Sequence, residues 1–284
     1  MTGALPEPLA RLGLTTWPFP RNPAADACFH WPALDELQAR LAYAHGIQGF
    51  ALVTGEPGCG KSTAVSLFVQ RLDKSRYPVV YFADSHLTPS EFYAMVLEQF
   101  GVRPALHCAR RRRQFQTLFS DMAANQAVTP VVVIDEAHEL APEMIQELRY
   151  ADNLGLGSAS AFTLILCGQG EIRAQLHLKS FEAVAQRITV RGHLTPLTPA
   201  EMTAFVAHGL RCGSAGSAGS PLTRTVFTDP ALEILYAKSR GLARKVGTMA
   251  TQALLDAAIA GKDLVEADSV ERAAADLEET LQSR

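Results

Sequence analysis

The sequence of 284 residues lacks a long apolar run. No apolar stretch approaches the roughly 20 residues needed to span a bilayer. Its N-terminus, MTGALPEPLARLG, does not have the pattern of a signal peptide. The five cysteines are widely spaced and form no CxxC pair, which argues against a disulfide framework or a zinc site and favours a reducing cytoplasm. No period of 20–50 residues repeats, which excludes solenoids and propellers. We therefore expect a cytoplasmic globular protein with no membrane partner.

The sequence also has no large excess of either positive or negative charge. The net charge is −3, and charged residues make up 19% of the chain. The molecule as a whole is therefore no polycation seeking nucleic acid. Apolar residues make up 48%, which is ordinary for a protein with a sizeable core and excludes a disordered or collagen-like chain.

Short apolar runs alternate with longer helical stretches, a pattern typical of a parallel α/β sheet. Each run is continuously apolar, as expected of strands covered by helices on both faces. The predicted strands are Phe50–Val53, Val79–Phe82, Val131–Ile134, Leu164–Cys167 and Ile188–Val190. After residue 198 only helices are predicted, interrupted by a Gly/Ser-rich spacer at Cys212–Pro221. We predict an α/β domain to about residue 195 and a small all-helical domain at 196–284.

Helix starts are marked by their capping residues. Two segments, beginning at Thr88 and Thr198, place a hydroxyl at the N-cap, proline at the first helical position and glutamate two residues later. Asp229-Pro230 is predicted to cap a third helix, and Val265–Gln282 forms a closing amphipathic one.

A glycine-rich turn between the first strand and the next helix fits the pattern G-x-x-x-x-G-K-[ST]. Such a turn lets backbone N–H groups converge on a phosphate. Lys61 would reach the β- and γ-phosphates, and the Ser62 hydroxyl would bind Mg²⁺. The predicted nucleotide contacts are Gly55, Glu56, Pro57, Gly58, Cys59, Gly60, Lys61, Ser62 and Thr63. We call residues 55–62 the phosphate loop, and we expect ATP and Mg²⁺ as its ligands.

Two adjacent carboxylates follow the strand Val131–Ile134. Asp135 is placed to hold Mg²⁺ beside Ser62, and Glu136 to polarise the attacking water as a general base. An acidic turn after a buried strand is the alternative. The phosphate loop earlier in the chain favours the functional interpretation.

Three further side chains carry weaker signals. Gln169 follows the strand Leu164–Cys167 and could contact the γ-phosphate or the water, although glutamine is common in loops. Arg187 precedes the last strand, with Arg191 as a substitute four residues later, and Arg244 opens a helix of the small domain. Each arginine could instead pair with a surface carboxylate, which contributes little.

These motifs, in this order, resemble AAA+ ATPases over nearly the whole chain. The resemblance implies a three-layer sandwich with a parallel five-stranded sheet and a small all-α lid. It also implies roles for the weaker candidates: Gln169 as sensor 1, Arg187 as an arginine finger reaching a neighbouring subunit, and Arg244 as sensor 2. ATP between subunits would stabilise a ring or filament of identical chains.

Within AAA+ proteins, three segments resemble the ExeA-like branch and the TnsC and TniB type of transposon ATPase. They are the Gly-Leu and Pro-Phe elements at 12–19, the DEAHEL run at 135–140 and the CGQGE run at 167–171. The resemblance implies that the N-terminal segment, residues 1–32, lies near the adenine end of the site. It also implies an accessory role in DNA transposition with a transposase as partner.

Two alternatives remain open, an ExeA-like ATPase for assembly of a secretion apparatus and a nucleotide-gated signalling module. The run Arg110, Arg111, Arg112 and Arg113 is a concentrated positive patch in an acidic chain, suited to duplex DNA. A solvated helix start is the alternative for that run, although cations at a helix N-terminus oppose the helix dipole.

Overall fold

The structure is a computed structural model that describes residues 5–20, 23–83, 86–126, 128–151, 160–214 and 226–282. The chain divides into two compact units. The α/β unit comprises Pro32–Glu56 and Lys61–Leu194. The helical unit comprises Met1–Trp31, Thr195–Arg284 and the turn Pro57–Gly60. Within the described ranges, no helix is both long and apolar enough to cross a membrane.

A five-stranded parallel sheet forms the centre of the α/β unit, in the order β2-β3-β4-β1-β5. All five predicted strands are present, three of them at greater length than predicted. Their bounds are β1 Phe50–Gly55, β2 Val79–Phe82, β3 Val131–Ile134, β4 Thr163–Gly168 and β5 Ile188–Leu194. Every residue of β1, β3 and β4 is buried, so both faces of the sheet are covered there. On β5, an edge strand, burial alternates with exposure.

Among its described residues the α/β unit has seven α-helices, of which the first precedes β1 and the other six connect the strands. They are α2 Pro32–Gly46, α3 Lys61–Gln70, α4 Pro89–Gln99, α5 Cys108–Asp121, α6 Pro142–Ala151, α7 Glu171–Leu176 and α8 Glu182–Ala185. The predicted capping box at Thr88 is present, because its hydroxyl accepts from the Glu91 backbone and the Glu91 carboxylate accepts from the Thr88 N–H. Helix α5 continues into a π-helical turn at Met122–Gln126.

Aromatic side chains fill the core between the sheet and helices α4 and α5. Phe115 and Phe119, one turn apart on α5, have ring centroids 4.2 Å apart. Both meet Phe162, which directly precedes β4, in edge-to-face contacts. These contacts fix α5 against the strand that carries Gln169 at its far end.

The described part of the helical unit contains five α-helices, in agreement with the all-helical prediction. They are α1 Glu7–Arg11, α9 Pro199–Ser214, α10 Asp229–Ser239, α11 Ala243–Ile259 and α12 Ala267–Gln282. The box at Thr198 and Glu201 is present. Thr228 caps α10, and Asp229 is its first helical residue. Of the predicted spacer Cys212–Pro221, residues 212–214 lie in α9 and the rest lies outside the described residues.

The N-terminal segment packs on α9 through two glycines. The backbone N–H groups of Thr15 and Thr16 donate to the Gly213 carbonyl at 2.8 and 3.0 Å. A Cβ atom on Gly209 would lie 2.3 Å from the Phe19 ring, so no larger residue fits there. Phe19 also meets Phe205 of the same helix, with ring centroids 5.5 Å apart. The segment is therefore an integral part of the helical unit.

Candidate nucleotide site

Strand register brings the candidate residues of the α/β unit to one edge of the sheet. In the order β3-β4-β1, Ile134 pairs with Leu166 and Thr54 pairs with Gly168. Because the strands are parallel, their carboxyl ends meet at the same edge, which is where ligands bind in open α/β sheets. We call it the carboxyl edge. Asp135 and Gln169 directly follow β3 and β4 there, and Gly55 ends β1.

The backbone of the phosphate loop has positive φ angles at two of its glycines. Gly58 and Gly60 have φ angles of 84° and 103°, in the region that other residues avoid. Lys61 is 6% exposed, and its ammonium donates to the carbonyls of Gly55 and Glu56, each at 3.0 Å. The lysine charge is thus held inside the turn, where it is only weakly screened by water.

Arg244 lies against the phosphate-loop turn that belongs to the helical unit. Its backbone N–H donates to the Gly58 carbonyl at 3.0 Å. A Cβ atom on Gly58 would lie 3.2 Å from the Arg244 Cβ atom. The structure therefore brings together two residues that the sequence separates widely.

Asp135 is 7% exposed, and both of its carboxylate oxygens accept hydrogen bonds. Its Oδ1 atom accepts from the Glu136 backbone N–H at 2.9 Å, and its Oδ2 atom accepts from the Tyr81 hydroxyl at 2.6 Å. Burial and the neighbouring carboxylate raise the pKa of Tyr81, so the phenol stays a proton donor. Tyr81, on β2, was not among the predicted site residues, because nothing in its local sequence indicates the contact.

The donor set at this edge fits Mg²⁺. A carboxylate offers about four lone-pair positions, more than the hydrogen bonds of Asp135 with Glu136, Tyr81 and the Cys167 thiol occupy. Ser62, in the first turn of α3, offers a hydroxyl oxygen, and magnesium prefers oxygen ligands. The thiol of Cys167 at the end of β4 is no competing ligand, because burial and then Asp135 raise its pKa well above the usual value.

Glu136 stands at a conformationally special position. Its φ of 49° and ψ of 36° are left-handed, which is uncommon for a non-glycine residue. Its side chain is 46% exposed, and its Oε2 atom lies 3.6 Å from Nδ1 of His138. The other ring nitrogen of His138 lies 2.9 Å from the side-chain amide nitrogen of Gln169. Glu136 and Gln169 are therefore connected through a histidine for which the sequence analysis predicted no role.

Arg187 is not brought to the carboxyl edge. It directly precedes β5, where Ile188 pairs with Phe50 at the start of β1. Its guanidinium donates to the carbonyl of Arg149 in α6. Arg191, the substitute, is exposed on β5 and donates to the Ala185 carbonyl at 3.1 Å. Six residues of β1 separate the two edges, about 20 Å at 3.3 Å per residue.

The four consecutive arginines lie within α5, not ahead of it, and two of them have partners inside the unit. Arg111 donates to the carbonyls of Ala105 and Ser90 at 2.6 and 2.9 Å. Arg112 forms a two-point ion pair with Glu147, at 2.5 and 2.7 Å. Tyr93 donates to the same carboxylate at 2.8 Å. Arg111 and Arg112 therefore have partners within the unit, whereas Arg110 and Arg113 are exposed, and contact of the run with DNA stays a prediction.

A second polar cluster at the end of β1 was also missed. Thr54, fully buried, accepts from the Arg173 guanidinium of α7 and lies 3.1 Å from Nδ1 of His193 on β5. Burial, followed by the charge of Arg173, lowers the pKa of His193. The cluster fixes the strand end from which the phosphate loop begins.

A family model described as "AAA domain" matches residues 45–176. The match spans the phosphate loop, Asp135, Glu136 and Gln169. Arg187 and Arg244 lie beyond the matched residues.

One curated relative of this chain is General secretion pathway protein A from Aeromonas hydrophila. It is 30% identical over 250 residues, which covers 86% of this chain. The chain spans 44% of that relative's length.

Solved structures share the fold at low identity. ORC1 from Aeropyrum pernix, in complex with DNA, gives a TM-score of 0.63 at 18% identity, covering 89% of this chain and 67% of that one. ORC2 from the same organism, in its ADP form, gives 0.62 at 15% identity, covering 93% and 72%. Cdc6p from Pyrobaculum aerophilum gives 0.61 at 15% identity, covering 84% and 65%. These likenesses confirm the AAA+ fold. The resemblance to TnsC and TniB stays a prediction.

Proposed function

We propose that the AAA domain binds ATP with Mg²⁺ and hydrolyses it to ADP and phosphate. The observation that carries the proposal is the convergence of a pre-formed phosphate loop, a buried carboxylate and an exposed carboxylate at one edge of the sheet. A phosphate turn alone binds anions. The two adjacent carboxylates add a metal ligand and a base, which hydrolysis requires.

Binding rests on fixed charges and backbone donors. The loop N–H groups and the Lys61 ammonium would hold the β- and γ-phosphates, without rearrangement of a loop that is already formed. Ser62 and Asp135 would hold Mg²⁺. When bound, that ion neutralises negative charge on the phosphates.

Glu136 is the proposed base. Its carboxylate is half exposed, so a water molecule can reach it, while its backbone is fixed by the bond from its N–H to Asp135. Gln169 is proposed to orient the water or the terminal phosphate. Arg244, in the helical unit, is proposed to contact the bound nucleotide as sensor 2. Its backbone contact with Gly58 of the phosphate loop supports this proposal.

The first prediction is that Glu136→Gln keeps ATP binding and lowers phosphate release by roughly 100-fold or more. Glutamine keeps the size and polarity of the side chain but cannot accept the proton of the attacking water. The measurement is steady-state phosphate release at saturating ATP, with nucleotide affinity measured on the same preparations. ATP-bound chains should accumulate as assemblies in the variant.

Glu139→Gln is the matched control. Glu139 lies three residues later, and its Oε2 atom lies 3.9 Å from Nδ1 of His86. Its variant should turn over ATP like the wild type. Near-normal turnover of Glu136→Gln would mean that another group activates the water, and a wild type without turnover would favour the signalling-module alternative.

We also propose that ATP lies between subunits, with Arg187 acting on the site of a neighbouring copy. The support is a distance argument. Arg187 lies at the amino end of β5, about 20 Å from the loop of its own chain at roughly 3.3 Å per residue, and its guanidinium donates to the Arg149 carbonyl. An arginine that acts on phosphate from that place must therefore serve a second copy of the chain.

For the cellular role we keep two proposals. The curated relative is a general secretion pathway protein, which supports the ExeA-like role in assembly of a secretion apparatus. The role in DNA transposition, with a transposase and duplex DNA as partners, is supported by the motif resemblance and by the exposed side chains of Arg110 and Arg113.

The second prediction separates these roles. If the transposition role holds, ATP-bound protein binds duplex DNA, and replacing Arg110 and Arg113 with alanine flattens the salt dependence. Each lost phosphate contact lowers the slope of log affinity against log salt by roughly 0.9, so the pair accounts for about 1.8 per bound subunit. Arg111 and Arg112 are left intact because their side chains hold Ala105, Ser90 and Glu147.

The control is a pair of exposed arginines elsewhere, Arg71→Ala with Arg76→Ala, which removes the same charge. The measurement is DNA affinity against salt concentration with a non-hydrolysable ATP analogue. No DNA binding by the wild type at low salt would overturn the transposition role and leave the secretion role. If the variant with alanine at Arg110 and Arg113 binds DNA with an unchanged slope, the DNA-binding surface does not lie on α5.

A further inference from the structure

His138 lies between the proposed base and the proposed phosphate-sensing residue. It belongs to a short 3-10 turn, Ala137–Glu139, that follows the two carboxylates. Its side chain is 12% exposed, although the turn itself lies at the edge of the sheet. A histidine that is held this closely is placed by its surroundings and is not a loose surface group.

Both ring nitrogens of His138 face functional partners. Nδ1 lies 3.6 Å from the Glu136 carboxylate, and Nε2 lies 2.9 Å from the Gln169 side-chain amide. The Gln169 backbone N–H also approaches Nδ1, at 3.4 Å. The neutral ring accepts from the Gln169 side-chain amide at Nε2 when its proton is on Nδ1, and the Nδ1 N–H then faces the Glu136 carboxylate at 3.6 Å. In that tautomer Nδ1 does not accept from the Gln169 backbone N–H, which is a close contact only.

The surrounding chain is built to accept this ring. A Cβ atom on Gly168 would lie 3.1 Å from the His138 backbone nitrogen and 3.4 Å from Nδ1, so glycine allows the close approach. Gln175 of α7 donates from its side chain to the His138 carbonyl at 3.2 Å. The turn that carries the histidine is therefore fixed from β4 and from α7 at once.

We propose that His138 is a positioning residue for hydrolysis, which holds the Glu136 carboxylate toward the attacking water while Gln169 braces the ring from its other side. The inference rests on the proposed ATPase function. It adds to that function a residue between base and sensor that touches neither nucleotide nor water. A half-exposed glutamate otherwise samples several rotamers, and fixing it lowers the cost of reaching the reactive geometry.

The experiment measures kcat and KM for phosphate release by the wild type and by three variants, His138→Ala, His138→Asn and His138→Gln. His138→Ala should lower kcat by about 10- to 100-fold and leave nucleotide affinity within about 2-fold, because only the geometry of the base changes. The asparagine amide nitrogen comes close to the Nδ1 position, and the glutamine amide nitrogen close to Nε2. His138→Asn should therefore retain more activity than His138→Gln.

Two comparisons separate positioning from a structural effect. In the Glu136→Gln background, His138→Ala should cause no further loss, since the side chain that it positions no longer acts as a base. His86→Ala removes another histidine beside a carboxylate, Glu139, and should turn over normally.

The proposal and the ATPase function fail in distinguishable ways. If the wild type hydrolyses ATP while His138→Ala keeps kcat within about 2-fold, the inference is overturned and the function stands. A loss equally large in the Glu136→Gln background, or a loss of nucleotide affinity as large as the loss of kcat, also overturns it, because the role would then be structural. A wild type without turnover would overturn both.

Discussion

Lys61→Ala should abolish measurable ATP binding while the chain stays folded. The ammonium is buried in the phosphate loop, within 3.0 Å of two backbone carbonyls, and is the fixed positive charge that the phosphates would meet. Removing one partner of a buried charge pair costs about 3 kcal/mol or more, which is a roughly 100-fold loss of affinity. Titration calorimetry with ATP and Mg²⁺ measures the loss, and circular dichroism checks the fold.

Lys74→Ala is the control, because Lys74 is exposed and lies outside the loop, after α3. It should bind ATP like the wild type. Unchanged affinity in Lys61→Ala would show that the loop is not the nucleotide site, and the proposed function would have to be abandoned.

Arg187→Ala should lower hydrolysis by about 1,000-fold, judged from arginine fingers in other phosphoryl-transfer enzymes, and leave ATP binding intact. We propose that it acts in a neighbouring copy, because it lies far from the phosphate loop of its own chain. Mixing Arg187→Ala with Lys61→Ala should therefore restore part of the activity, since some interfaces then combine an intact loop with an intact arginine. Phosphate release by the mixture is the measurement.

Arg191→Ala is the matched control, four residues later on the same strand, and should remain active. A mixture that is no more active than its separate components would contradict action between subunits. If Arg191→Ala loses most of its ATP turnover while Arg187→Ala turns over normally, Arg191 and not Arg187 is the arginine finger.

Much of the α/β unit could be predicted because its signals are local. Val131–Ile134 is continuously apolar, and a strand covered on both faces requires that composition. The phosphate loop is recognisable because glycines with positive φ and the lysine lie within eight residues. Once the strands are parallel, their carboxyl ends must coincide, so Asp135 and Gln169 could be placed near the loop without a structure.

The rest depends on contacts between distant residues, which no local pattern encodes. Four arginines in a row appear equivalent in sequence, yet Arg112 pairs with Glu147 on α6, a partner that only the packing of α5 supplies. The hydrogen bond from Tyr81 to Asp135 joins neighbouring strands far apart in the chain. The contacts of His138 depend on Gly168, because the absence of a side chain there lets the ring approach β4.

The N-terminal segment shows the same limit. Its proline and aromatic residues are recognisable, but its docking depends on Gly209 and Gly213, two glycines inside a helix far along the chain. Glycine inside a helix is costly by propensity, and the sequence alone does not show what compensates the cost. The structure shows the compensation, because the N-terminal segment packs in the space that side chains at Gly209 and Gly213 would occupy.

The central claim is Mg²⁺-dependent ATP hydrolysis with Glu136 as base, and it is tested most directly by phosphate release from ATP. The wild type and Glu136→Gln are compared at equal nucleotide occupancy, each with Mg²⁺ and with a chelator. The account predicts release by the wild type that stops when the metal is removed and falls by roughly 100-fold or more in the variant. Release that is absent from the wild type, or that is indifferent to both the chelator and the substitution, would contradict it.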